Sequence, residues 1–127
     1  MNNEPLYIAI ISPCASGPCS VEENKAYAAS LAKAVALSGH IPVVPHLSYT
    51  QFLDDSNETE RVVGLRLGGL EMRDSHCVIV GKHNGVQGAM VGEIEEMERF
   101  GKPIRYLWHF DEVEQAILEM SLELANG

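Results

Sequence analysis

Basic residues are scarce. Nine Lys and Arg against eighteen Asp and Glu leave a formal charge of −9 at pH 7. Binding along a phosphate backbone needs clustered Lys/Arg to release counterions, and the basic residues here are scattered without a run. Nucleic acid and anionic membrane surfaces are therefore not expected as partners, whereas a small ligand could still be held by backbone N–H groups. No stretch of about 18 apolar residues occurs, so no membrane-spanning helix is expected. The opening "MNNEPLYIAIIS" lacks the basic head and long apolar run of a signal peptide, and a cytoplasmic location is expected, in a cell or for a virus inside one.

Cysteine is also sparse. Cys14, Cys19 and Cys77 are odd in number and lack paired-ligand spacing, so free thiols are expected rather than a disulfide or a metal site. The five histidines contain no H-x-x-x-H pairing, which argues further against a metal. Neither a Walker A motif nor GxGxxG is present, so an ATP- or NAD-specific reading has no support and no cofactor is expected. With 127 residues, 46% apolar and 6% aromatic, the chain suffices for one soluble domain spanning 1–127. No repeat, low-complexity segment or interdomain linker interrupts it.

Short apolar runs alternate with amphipathic segments. "LYIAIIS" (6–12) reads as a strand buried on both faces. Ser20 and Glu23, in capping-box spacing, open a helix with a stripe of Ala28, Leu31, Ala32 and Val35 that stops at Gly39. "IPVVPH" (41–46) reads as a second strand, its prolines placing it at a sheet edge. After a loop with room for one helical turn, Asn57 and Glu60 head a helix to about Met72. "HCVIVG" (76–81) and "IRYLW" (104–108) are further strands. They flank a helix that ends near Gly101-Lys102-Pro103, and a last helix runs from Asp111 to Leu124 with Val113, Ala116, Ile117 and Met120 on one face. This order predicts an α/β fold with a parallel sheet between helices. The ligand then belongs at the carboxyl ends of the strands, at the topological switch point, where "SPCASGPCS" and "GKHNGVQG" meet if the first and third strands are neighbours.

One residue is out of place in this pattern. In "NGVQGAMVGEIEEMERFGKP" the apolar positions Met90, Ile94 and Met97 form one helical stripe, and Glu93 falls on it. A partly buried carboxylate near the switch point suits a nucleophile or a general acid/base, while an edge position reaching water is the alternative. Gly85, Gly88 and Gly92 surround the helix start, where backbone N–H groups can approach a phosphate or sugar oxygen. Ser12, Ser16, Gly17 and Ser20 offer hydroxyl or phosphate contacts from the first loop, His46 and His83 lie on the ligand side, and Asp54 and Asp55 could hold ribose hydroxyls. Asp74 precedes the third strand, at its amino end unless a short offset carries it across.

The segments "YIAIISP", "ENKAYAASLAKAVALSGHIPVVPHLSYTQFLDD", "ERVVGLRLGG" and "GAMVGEIEEMERFGKPI" together resemble the small nucleoside 2-deoxyribosyltransferase-like proteins of bacteria and their phages, over roughly residues 6–107. The resemblance implies a flavodoxin-like fold. It also implies that Glu93 attacks the anomeric carbon of a 2-deoxyribosyl group, passing the sugar to another base or to water. Asp74 is the nearest candidate to protonate the departing base, displaced by about one residue from the usual place, where Ser75 stands. Ser12, Pro13, His46, Asn84, Gly88, Ala89 and Met90 are expected to bind the substrate, a nucleoside or nucleotide. The resemblance further implies a homodimer or higher homo-oligomer. The loop after the first strand lacks the family's usual aromatic, and Asn84–Gly88 lacks its early acidic or hydroxyl residue. The expectation is thus an N-glycosidic bond cleavage or 2-deoxyribosyl transfer, with a non-catalytic protein sequestering a nucleotide or nucleotide-derived signal as the alternative.

Overall fold

Four parallel strands, β1 (Tyr7–Ile11), β2 (Ile41–Val43), β3 (Cys77–Gly81) and β4 (Ile104–Leu107), lie in the order β2-β1-β3-β4, the flavodoxin-like winding. The computed structural model describes residues 4–13, 19–83, 85–86 and 88–127. Strands β1 (Tyr7–Ile11) and β3 (Cys77–Gly81) are central, paired in register from Ile8 opposite Cys77 to Ile11 opposite Val80. Their continuous apolar runs follow from burial on both faces. Side chains alternate across the sheet. Ile8, Ile10, Cys77 and Ile79 pack under α1 (Val21–Leu37) and α5 (Val113–Asn126). Ala9, Ile11, Val78 and Val80 meet Met72 from α3 (Glu58–Arg73) and Met90, Ile94 and Met97 from α4 (Ala89–Arg99). Each large aliphatic side chain buried there contributes about 1.5–3 kcal/mol.

The helix starts follow from local chemistry. Ser20 and Glu23 form the reciprocal capping box expected of them. Asn57 accepts from the Glu60 amide, but the Glu60 carboxylate reaches back to the Asp54 amide at 3.0 Å instead of to Asn57. The last helix begins with a 3₁₀ turn at 110–112 and buries Val113, Ala116, Ile117 and Met120, the expected stripe.

The second strand is shorter than "IPVVPH" suggested. β2 covers only Ile41–Val43, at the sheet edge, and Pro45 opens a single helical turn, α2 (Pro45–Ser48). Proline lacks the N–H a strand would need and its fixed φ suits the first helical position. His46 therefore rides on a helical turn, continued by a 3₁₀ turn at 49–51, and is not the last residue of a strand.

Cys77 shows how dry the sheet is. It is fully buried, and burial pushes its thiol up to about 11. A folded pKa above the unfolded one favours the native state below the unfolded value, and that stability is lost as pH rises from about 9 through 11. In the native protein at pH 8, Cys77 is expected to resist a thiol reagent that modifies half-buried Cys19 and to react once denaturant is added, read by mass spectrometry.

Candidate functional site

At the carboxyl end of β1, a cavity of about 260 Å³ opens between α2, α3 and α4. Ser12 closes its floor. It is 1% exposed, and its Oγ has no hydrogen-bond partner among the described residues. A buried hydroxyl without a partner costs about 1–3 kcal/mol, and this one stands at the wall of the crevice. Glu93 enters from the second turn of α4, with its side chain 15% exposed. Its Oε1 is buried and likewise without a hydrogen-bond partner among the described residues. His46 Nε2 lies 3.8 Å from that oxygen, too long for a hydrogen bond but within reach of an ion pair when the imidazole is protonated.

The positions of these groups have local causes. Gly88 precedes α4 with φ 60° and ψ −137°, a conformation that side chains rarely adopt, and no side chain caps the helix. The first amides of α4, at Ala89 and Met90, therefore border the crevice with the positive end of the helix dipole. His46 is held by its backbone, since the Thr50 hydroxyl donates to the His46 carbonyl at 2.7 Å. The turn carrying it sits against α3 only because Gly68 has no Cβ, which would lie 2.7 Å from Pro45 Cβ. Gly68→Ala is expected to lower stability by about 1–3 kcal/mol, measured by denaturant titration, because neither helix has a flexible side chain to yield there.

The structure brings Ser12, His46, Gly88, Ala89, Met90 and Glu93 together on one crevice. Pro13 is buried and does not line it. Asn84 lies outside the described residues, as do Ser16 and Gly17. Asp74 is not brought to the crevice. It is exposed at the C-cap of α3, before the amino end of β3, and the two-residue link to Cys77 leaves no offset to carry it across the sheet. Position 75 does not replace it, because the Ser75 hydroxyl donates to the Met72 carbonyl. His83 stands on the other face, stacked on Tyr27 at 4.3 Å and 3.8 Å from Cys19 Sγ.

Tyr49, Thr50, Asp55 and Arg61 add further polar side chains to the crevice lining. Of these, only Asp55 carried an expectation. Burial, followed by the nearby Glu71 carboxylate, raises the Tyr49 hydroxyl and keeps it protonated. Arg61, Gly64 and Gly68 recur at spacings of three and four on α3, a signal that marks one helix face but not what that face covers. Among the described residues, no group of three or more His, Cys, Asp or Glu is placed to hold a metal ion, and no helix is long and apolar enough to cross a membrane.

Comparison with known proteins places residues 6–107 in one family, described as Domain of unknown function (DUF7768). No curated protein and no solved structure matches the chain.

Proposed function

The chain belongs to that family, whose description assigns no function, and from the crevice itself we propose that it cleaves or transfers the N-glycosidic bond of a deoxynucleoside or its 5′-monophosphate. The observation that carries the reading is the Glu93 carboxylate, set into a crevice with one oxygen buried and without a hydrogen-bond partner among the described residues. In water such an oxygen would be solvated, and in a merely structural role it would accept a hydrogen bond. A largely buried carboxylate with room in front of it is poised for an electrophilic carbon.

In this reading, Glu93 attacks C1′ of the deoxyribose as the bond from C1′ to the base nitrogen breaks. The electron pair goes to the base, and protonated His46 gives that base its proton. The resulting ester is then opened by an acceptor base or by water, whose proton returns to His46. Ser12 and the α4 amides would hold the sugar or its phosphate, and Tyr49 would flank the base. A cytoplasmic location, where such substrates are made, belongs to the same proposal.

The position of Asp74 favours a second reading, non-catalytic capture of a nucleotide or nucleotide-derived signal, because the expected carboxylate proton donor lies at the far end of the sheet. Incubation with each deoxynucleoside and 5′-monophosphate, with and without a free acceptor base, separates the two. Base release followed by chromatography supports the catalytic reading, and its dependence on acceptor distinguishes transfer from hydrolysis. No release from any substrate, with a nucleotide raising the melting temperature, overturns it in favour of capture.

A further inference from the structure

The turn that leads into α3 is held by two of its own carboxylates. Asp54 accepts from the Ser56 hydroxyl at 2.6 Å and from the Ser56 amide at 2.9 Å, and these bonds hold its carboxyl below the usual range. Glu60 accepts from the Asp54 amide at 3.0 Å. Asp55, between them, is not used in this way. Its carboxylate has no ion pair or hydrogen bond among the described residues, and it lines the crevice. Arg61, in the first turn of α3, lines the same crevice and is likewise in no ion pair among the described residues, with Asp55 or with any other carboxylate. Two exposed charges gain little by closing on each other, so both stay available to a ligand.

The proposed reaction says which end of the ligand they meet. With C1′ at Glu93, and with Ser12 and the α4 amides on the sugar or its phosphate, the base extends toward His46 and the start of α3, where Tyr49, Asp55 and Arg61 stand. A phosphate at Arg61 is disfavoured, because the Asp55 carboxylate borders the same end and repels it. What suits both charges is a neutral ring with a donor edge and an acceptor edge. A carboxylate takes two adjacent donors, and a guanidinium serves two adjacent acceptors. Among the DNA bases, guanine alone offers both, N1–H with the 2-amino group and O6 with N7. Adenine presents a lone pair at N1 where a carboxylate needs a donor. Thymine and cytosine each lack the second adjacent donor.

We infer that the crevice selects guanine, Asp55 accepting from N1–H and the 2-amino group while Arg61 donates to O6 and N7. The inference rests on the proposed reading for the placing of the sugar at Glu93. It is compatible with the proton step. Arg61 at N7 leaves N3 and N9, the nitrogens nearest C1′, to His46, which lies 3.8 Å from Glu93. Recognition and proton delivery then use different atoms of the base.

Titration calorimetry of the full chain with the 5′-monophosphates of deoxyguanosine, deoxyadenosine, deoxycytidine and thymidine tests it, beside base-release rates on the same four. The guanine nucleotide is expected to bind at least about tenfold tighter than the others, the worth of one bidentate pair. Arg61→Gln is expected to weaken that nucleotide about tenfold to a hundredfold and to leave the others nearly unchanged. Asp55→Asn is expected to transfer the preference to the xanthine nucleotide, whose 2-oxo group accepts from the new amide, a gain that a merely structural role does not produce. Both residues are exposed, and thermal melts confirm that the variants fold. Base release without a guanine preference overturns the inference and leaves the reaction standing. Guanine-selective binding without release supports the inference and overturns the reaction. Arg61→Gln weakening all four nucleotides alike, with the free deoxynucleosides unaffected, overturns it, since Arg61 would then hold the phosphate. Binding of none of the four overturns both.

Discussion

Glu93→Gln is expected to lower base release at least about a thousandfold while leaving the protein as stable as before. The amide keeps the shape of the carboxylate but lacks the charge that makes an oxygen nucleophilic, and a lost nucleophile is among the largest single effects in an enzyme. Stability is spared for a reason visible in the crevice. Oε1 makes no hydrogen bond among the described residues that the amide would break, and its ion-pair partner, His46, is 3.8 Å away. Removing a partly buried charge relieves desolvation. Steady-state base release and a thermal melt on the same preparation check both halves. Full activity in the Gln variant would sink the nucleophile, and lost activity with a lowered melting temperature would reduce Glu93 to a structural residue.

His46→Asn is the next largest, with an expected loss of about a hundredfold to ten-thousandfold, the range for general acid catalysis. The α2 turn should survive it, since Pro45 sets its start and Thr50 holds the carbonyl of residue 46, neither through the imidazole. A proton donor matters in proportion to how poor the leaving group is. The loss should therefore fall in kcat for natural bases and shrink for a nucleoside whose base departs without protonation. Equal losses for both substrates would mean that His46 only positions Glu93.

These two residues were legible in the chain to different degrees. Glu93 announced itself because Met90, Ile94 and Met97 fix which way α4 faces, so a charge on that stripe has nowhere to go but inward or along its edge. His46 was placed on the ligand side for a reason that the structure replaces. It is not the end of a strand, and a proline-started turn aims it at Glu93. Asp74 was suggested by its place before the third strand, but proximity in sequence put it at the amino end, while the site lies at the carboxyl end. Arg61, Tyr49 and Thr50 gave no such signal. An exposed arginine in the first turn of a helix reads the same whether it faces solvent or a crevice, and an aromatic in a turn reads as packing.

By itself, the sequence determined what periodicity and local hydrogen bonding can specify. Apolar runs without alternation meant strands covered on both faces, capping residues began helices, and prolines marked the edge strand, so a parallel sheet between helices followed, while the order β2-β1-β3-β4 did not. Only the tertiary structure decided which loops share a cavity, that Asp74 and Glu93 belong to opposite ends of the sheet, and that α3 leaves an aliphatic face uncovered. Those are relations between residues far apart in the chain, set by crossover geometry and by close approaches such as Gly68 on Pro45. No local pattern encodes them, because the contact is made only once both elements have packed on the sheet.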